Sequence, residues 1–191
     1  MKKLIVLLLA LLLLSGCTAA TKPSIRPAEL TESEQALLQM FDLSYPSQVF
    51  DFTAPEGAVG VIIRRQHLQD GEWVATKHYL RVDGKTGRIA ISFDELADGL
   101  RCAIQQEGNA EATSVTHQGE TTQNFTSTAM ITLSAETEAA LDVEIPLLVQ
   151  VQTNDLAITS PRMNAYPDAA AFSAYDEVYV VTAAFTDKEL E

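Results

Sequence analysis

The chain has 191 residues, 47% of them hydrophobic, with 13 basic against 26 acidic residues and a formal net charge of −13. A body this acidic is repelled by nucleic acid and by anionic lipid, which argues against nucleic-acid binding. Its length suits one ordinary domain with a sizeable core.

The first residues have the pattern of a secretory leader. Met1–Lys3 is cationic, and Leu4–Leu14 contains only Leu, Ile, Val and Ala. That run is too short for a bilayer, which needs about 20 helical residues, so it is typical of a signal peptide over residues 1–16. The leader ends in LSGC at residues 14–17, which resembles the lipobox of bacterial lipoproteins.

The resemblance implies cleavage after Gly16 and lipidation of Cys17, which becomes the first residue and carries acyl chains such as palmitate. Two acyl chains give stable anchoring, whereas one holds only marginally. The expected location is the extracytoplasmic face of the cell membrane. The mature chain would keep 11 basic against 26 acidic residues, a net charge of −15. The alternative is a plain secreted protein with an incidental Cys17.

Cys102 is the other cysteine of the chain. With Cys17 lipidated, no internal disulfide is available, and packing of the core has to stabilise the domain. Apolar residues alternate around Cys102 in "LRCAIQQ", which predicts a buried strand position rather than a nucleophile.

Residues 17–30 are small and polar with two prolines, which predicts a lipid-anchored tether before a domain over residues 31–191. A helix should open the domain, because Thr31 and Glu34 form a capping box. An apolar stripe at helical spacing follows: Leu37, Leu38, Met40 and Phe41. The stripe is expected to pack into the core.

From Gln48 onward the apolar period changes to two. Two strand-like runs meet at Asp70-Gly71, a preferred two-residue hairpin turn. The run from Leu141 to Val151 alternates, with odd-numbered residues inward and Gln150 and Gln152 outward. Pro146 cannot donate to a ladder, which predicts an edge strand or a bulge there. The closing "YDEVYVVTAAF" is apolar on both faces, which predicts a strand covered on both sides.

Eight or nine short strands with turns between them, and no alternation of helices and strands, indicate an all-β protein. The predicted fold is a two-layer antiparallel β-sandwich, immunoglobulin-like or jelly-roll, with one N-terminal α-helix. The phrases "LQDGEWV", "VEIPLLVQV" and "YDEVYVVTAAF" are similar to parts of small lipoproteins of Gram-positive gut bacteria. That resemblance would span most of the mature chain, and it implies a location and a fold but no activity.

The sequence contains none of the common catalytic or metal motifs: GxxxxGK[ST], GxGxxG, HExxH, CxxC, an EF-hand loop, GxSxG and SxxK are all absent. Pairing the hairpin about Asp70-Gly71 sets His67 opposite Val74 and His78 opposite Ile63, several residues apart along one face. We therefore expect no metal, no cofactor and no catalytic residue.

Two groups of residues are candidates for ligand binding. Trp73 and Tyr79 lie on one face of a hairpin strand, where they form either an aromatic platform for sugar rings or, as the favoured alternative, core aromatics. The long loop "PRMNAYPDAAAFSAY" offers Arg162, Tyr166 and Tyr175, because loops on rigid scaffolds often carry binding residues.

Basic residues are concentrated between Arg64 and Arg101. They form either a cationic patch for an anionic ligand or, as the favoured alternative, charge pairs across the strands of a hairpin.

Three functions remain in competition. The first is a membrane-anchored, non-catalytic binding domain whose ligand is a glycan, a peptide or an envelope protein. The second is an envelope- or polysaccharide-directed hydrolase, which needs a cleft lined by ionisable groups. The third is a structural or assembly subunit that pairs through an exposed edge strand or the closing strand.

Overall fold

Two antiparallel β-sheets pack face to face, and one α-helix follows the first strand, which confirms the predicted all-β sandwich. This computed structural model describes residues 21–40, 47–93, 95–116 and 125–189. The leader, Cys17, Phe41 and His117 lie outside the described residues. No helix in the described part of the chain is long and apolar enough to cross a bilayer.

The elements in chain order are β1 Ser24–Pro27, α1 Glu32–Met40, β2 Gln48–Thr53, β3 Gly60–Gln69, β4 Glu72–Arg81, β5 Thr86–Ser92, β6 Gly99–Gln106, β7 Asn109–Thr116, β8 Ser127–Thr132, β9 Thr137–Glu138, β10 Ile145–Thr153 and β11 Glu177–Thr186. The six-stranded sheet has the order β7-β6-β5-β2-β1-β9, and the five-stranded sheet has the order β4-β3-β11-β10-β8. Two short 3-10 turns, Met163–Ala165 and Ala169–Phe172, lie between β10 and β11.

The hairpin of β3 and β4 forms as the sequence predicts. The strands pair over ten residues about Asp70-Gly71, with Ile63 opposite His78 and His67 opposite Val74. Both turn residues have positive φ, 51° and 81°, and Asp-Gly tolerates the left-handed conformation that a two-residue hairpin turn requires.

Strand directions define two ends of the sandwich. The entry end contains the start of β1 at Ser24 and the connections 54–59 and 82–85. The far end contains the Asp70-Gly71 turn and the connection 154–176. Because β3 has ten residues that rise about 3.3 Å each, the two ends are about 33 Å apart.

The main core lies between the sheets. Alternate residues of the facing strands fill it, among them Phe50, Phe52, Ile63, Leu80, Ile89, Ile91, Val181 and Phe185. Cys102 is buried in this core at the predicted strand position, and burial raises the pKa of its thiol to about 12.

Strand β10 departs from the predicted alternation because it contains a bulge. The register with β11 shifts between Pro146 and Leu148, and Leu147 and Leu148 both pack into the main core. An extra residue reverses the alternation beyond it. Val149 and Val151 therefore belong to a second apolar cluster, and the predicted outward positions of Gln150 and Gln152 are wrong, since both side chains are buried. Since β10 pairs with β8 and β11, the bulge is the correct alternative at Pro146.

Helix α1 begins with the predicted capping box but does not enter the core. The Thr31 amide donates to Glu34 Oε2 at 2.7 Å, and the Glu34 amide donates to Thr31 Oγ1 at 3.3 Å. The predicted burial of the stripe is wrong, because Leu37 and Met40 are 53% and 77% exposed and no described residue of α1 is buried. An ion pair between Glu34 and Arg88 of β5 holds the first turn to the six-stranded sheet.

The predicted tether is shorter than the sequence indicated. Ser24–Pro27 forms β1, which pairs with β2 and β9, and the Ala139 amide donates to the Pro23 carbonyl at 2.9 Å. A four-residue strand that ends in proline is too short to show an alternating pattern. Among the described residues, Pro23 to Pro27 therefore belong to the folded domain, although the sequence assigned them to the tether.

Candidate binding surface

The connection from β10 to β11, residues 154–176, packs over the outer face of the five-stranded sheet, and we call it the covering loop. Its Phe172 ring is buried against valines of the two strands in the second apolar cluster. These valines are Val149, Val151, Val178 and Val180. Strands that are apolar on both faces gain stability from such a cover, and the prediction that β11 is covered on both sides is confirmed.

Trp73 of β4 fastens the covering loop to the sheet. Its indole lies edge-on to the rings of Tyr166 and Phe172, with centroids 5.2 and 5.7 Å away. Its Nε1 donates to the Pro167 carbonyl at 2.8 Å. Edge-to-face contacts of this kind stabilise beyond the area they bury. Trp73 is therefore a packing residue, which was the favoured alternative to an aromatic platform.

Tyr166 joins the loop to a polar cluster on the same face. Its hydroxyl donates to Glu144 Oε2 at 2.7 Å and accepts from Gln66 Nε2 at 2.8 Å. Arg64 Nη1 lies 2.9 Å from the other carboxylate oxygen of Glu144. Burial, and then the hydrogen bond to Glu144, raise the pKa of Tyr166 well above its usual value of 10.0. The neutral phenol is thus the form that holds the loop.

The remaining loop candidates lie nearer solvent. Tyr175 donates from its hydroxyl to the Thr159 carbonyl at 2.9 Å and packs near Phe172. Arg162 is exposed, and Leu156, with 93% of its surface accessible, is the most exposed large hydrophobic residue of the described chain. The covering loop is thus fixed from below and presents an apolar and a cationic side chain to solvent.

Tyr79 lies apart from this surface, although it shares a face with Trp73. Six residues along a strand separate them by about 20 Å. Tyr79 donates to the Val59 carbonyl at 3.2 Å at the entry end, and its ring covers Gly60 so closely that a Cβ there would lie 2.2 Å from it. The structure therefore brings Trp73, Tyr166 and Tyr175 together and leaves Tyr79 out.

No pattern in the sequence indicates the polar side chains that lie under the loop. Arg64 and Gln66 alternate on the outer side of β3, and Glu144 precedes β10 by one residue. Their period-two spacing fits a solvated face equally well. These residues form a cluster only because the hydroxyl of Tyr166, which lies 22 residues beyond Glu144 in the chain, bonds to them.

The basic stretch from Arg64 to Arg101 forms no single patch. Arg64 pairs with Glu144, Arg81 with Asp83, and Arg88 with Asp51 and Glu34. Arg88 and Asp51 lie opposite each other on the neighbouring strands β5 and β2 and form a charge pair across strands, though not within one hairpin, whereas the partners of Arg64 and Arg81 lie outside the strands. Arg64 instead lies opposite Lys77 in the ladder.

A buried polar row lies on the inner face at the far end. Arg65 donates to the carbonyls of Leu96 and Ala97 and lies over the Tyr179 ring, 5.0 Å from its centroid. The His67 ring stacks on the Tyr179 ring, with the two centroids 4.4 Å apart, and His67 Nε2 is 2.5 Å from Glu177 Oε2. These groups are engaged with one another and fix the end of the sheet.

Comparisons with known proteins assign no family to the chain. No family model, no curated protein and no solved structure matches the chain. Among residues 21–40, 47–93, 95–116 and 125–189, no group of three or more His, Cys, Asp or Glu side chains is arranged to hold a metal ion. The arrangement offers contact chemistry: one apolar and one cationic side chain on an ordered loop.

Proposed function

We propose that the chain is a lipid-anchored extracytoplasmic protein that binds a ligand through its covering loop and does no covalent chemistry. The anchor rests on the lipobox-like residues 14–17. The binding role rests on one observation: a loop of this length is packed and hydrogen-bonded from β10 to β11 while it exposes Leu156 and Arg162. An ordered loop loses less conformational entropy on binding than a free one.

The anchor is tested in a Gram-positive host that expresses the full chain. Labelled palmitate should enter the protein, and the protein should sediment with membranes. Cys17→Ala should abolish both the label and the sedimentation. Retention of Cys17→Ala in the membrane fraction would contradict the anchor.

The binding role is tested with matched surface variants. Leu156→Ser and Met40→Ser each replace an exposed apolar side chain, one on the covering loop and one on α1. Sedimentation with isolated cell-wall material should weaken for Leu156→Ser and for Arg162→Ala but not for Met40→Ser. Equal sedimentation of all three variants, or no sedimentation of the parent chain, would contradict a wall ligand at this loop.

A second candidate is an assembly subunit that pairs through the edge of β4. The Arg81 amide and carbonyl point away from β3, since they bond Glu111 Oε2 at 3.2 Å and Gln106 Nε2 at 3.0 Å. Outward groups alternate along an antiparallel strand, so those of Ala75 and Lys77 also face away from β3. The closing strand is unavailable for this role because β11 lies inside its sheet.

Pairing of two β4 strands about Ala75 would set Lys77 of one copy opposite Trp73 of the other. Light scattering over a wide concentration range would reveal such dimers. Ala75→Pro should abolish them and spare the fold, because the lost amide points outward. A monomer at every concentration would remove this candidate.

A further inference from the structure

The length of chain between the acylated residue and the folded domain restricts how the domain stands on a membrane. This inference rests on the proposed anchor at Cys17. The first hydrogen-bonded backbone group among the described residues is the Pro23 carbonyl, which accepts from the Ala139 amide. Five residues lie between Cys17 and Pro23, and the six residue-to-residue steps that join them span at most about 20 Å when extended.

Pro23 lies at the entry end of the sandwich, because β1 begins at Ser24 opposite Thr53. Leu156, three residues beyond the end of β10, and the Asp70-Gly71 turn lie at the far end, about 33 Å away along β3. We call the segment from Cys17 to Pro23 the leash. An inverted domain, with its far end on the bilayer, would need a longer segment than this one. The attachment point and the leash length therefore exclude inversion.

The charge of the domain opposes a flat orientation. Eight exposed carboxylates lie around the entry end: Glu56, Asp83, Glu107, Glu136, Glu138, Asp142, Asp187 and Glu189. Four exposed basic residues accompany them: Lys22, Arg81, Lys85 and Lys188. Anionic lipid attracts basic clusters and repels acidic ones within about 8 Å at physiological salt. The entry end, with four more acidic than basic residues, is thus repelled less than a flat domain would be, because a flat orientation brings more of the net charge of −15 against the lipid.

We infer that the anchored domain stands end-on, with the entry end toward the bilayer and the covering loop outward. A ligand held at Leu156 then lies about 30 Å above the entry end of the domain. Headgroups of the anchoring membrane are excluded as that ligand. A full-length flexible tether from residue 17 to residue 30 would have allowed free tumbling, and β1 removes that freedom.

The inference is tested on full-chain protein acylated in its host and reconstituted into vesicles. Glu56→Cys places a fluorophore at the entry end, and Leu156→Cys places one at the far end; both positions are exposed. Cys102 is buried and should take no label. Quenching by a lipid with a quencher on its headgroup should be several-fold stronger for the Glu56→Cys label.

A longer leash supplies the control. A Gly-Ser insertion of about 20 residues after Thr21 spans about 25 Å on average and should bring the two quenching values together. Equal quenching of both labels on the native leash, or stronger quenching at Leu156→Cys, would overturn the inference. Absence of acyl label and of membrane sedimentation would instead overturn the anchor, and the orientation with it, before any quenching is measured.

Discussion

The two sheets of this sandwich differ in how far their outer faces are covered by other parts of the chain. The outer face of the five-stranded sheet is covered by residues 154–176, and nearly every residue of β10 and β11 is buried. The outer face of the six-stranded sheet is half-exposed along β5 and β6, where buried and accessible positions alternate. Helix α1 approaches that face through the ion pair of Glu34 with Arg88.

The difference follows from the residues that each pair of strands places on its outer face. Strands β10 and β11 carry valines on both faces, so their second face gains stability from a loop that brings Phe172 and Tyr166. Strands β2 and β5 carry Asp51 and Arg88 outward, where these side chains pair with each other and Arg88 also pairs with Glu34. A long loop is thus an ordered part of the core on one side, while a regular helix is only loosely attached on the other.

The largest effect is expected from Phe172→Ala. This removes a ring that is 1% exposed from the second cluster, and such truncations cost about 3–5 kcal/mol. Leu37→Ala on the half-exposed stripe of α1 is the matched control, with an expected change within about 0.5 kcal/mol. Urea unfolding measures both. Similar losses for the two variants would erase the contrast between the covered and the open side.

A smaller effect is expected from Tyr166→Phe, about 1 kcal/mol, because one hydroxyl at a half-buried site loses two hydrogen bonds. The raised pKa of Tyr166 gives the effect a pH dependence. Its contribution to stability is complete below pH 10, the ordinary value, and is lost as pH rises through the higher folded value. Unfolding of the parent chain and the variant should therefore converge in strong alkali.

Tyr175→Phe is the control for that series, since its hydroxyl bonds a single exposed carbonyl at Thr159. It should cost less at neutral pH. A constant gap between the parent chain and Tyr166→Phe through the alkaline range would contradict the buried phenol.

The smallest effect concerns the six-stranded sheet, whose outer face is partly exposed. Cys102 of β6 reports how tightly the inner face of this sheet is packed. Its thiol lies in the main core with a pKa of about 12, so almost no thiolate exists near pH 8. We expect a maleimide to label the folded protein very slowly and the urea-unfolded protein at once. Fast labelling of the folded protein would show that the open outer face belongs to a loosely packed sheet.

Local chemistry made part of this architecture predictable from the sequence. The Thr31–Glu34 capping box and the Asp70-Gly71 turn each act within a few residues, and they fixed the start of α1 and the whole β3–β4 register. The closing strand is apolar on both faces, which predicted that both faces are covered. It did not indicate that residues 154–176 cover the outer face.

The rest depends on contacts between distant residues. Pro146 indicated either an edge strand or a bulge, but the alternating pattern does not show that an extra residue reverses the faces of Gln150 and Gln152. The stripe of α1 fits a core helix, yet no partner face receives Leu37. The Tyr166 cluster joins three segments that are far apart in sequence, so no spacing rule identifies it.

Hydrogen exchange of the native chain tests the central claim, which is that the covering loop is an ordered part of the sandwich. Within the loop, the amides of Asp168, Tyr175 and Asp176 donate to backbone carbonyls at 2.8–3.1 Å. These amides should exchange nearly as slowly as those of β10 and much more slowly than those of α1. Exchange of the loop amides at the rate of an unstructured chain would contradict the account.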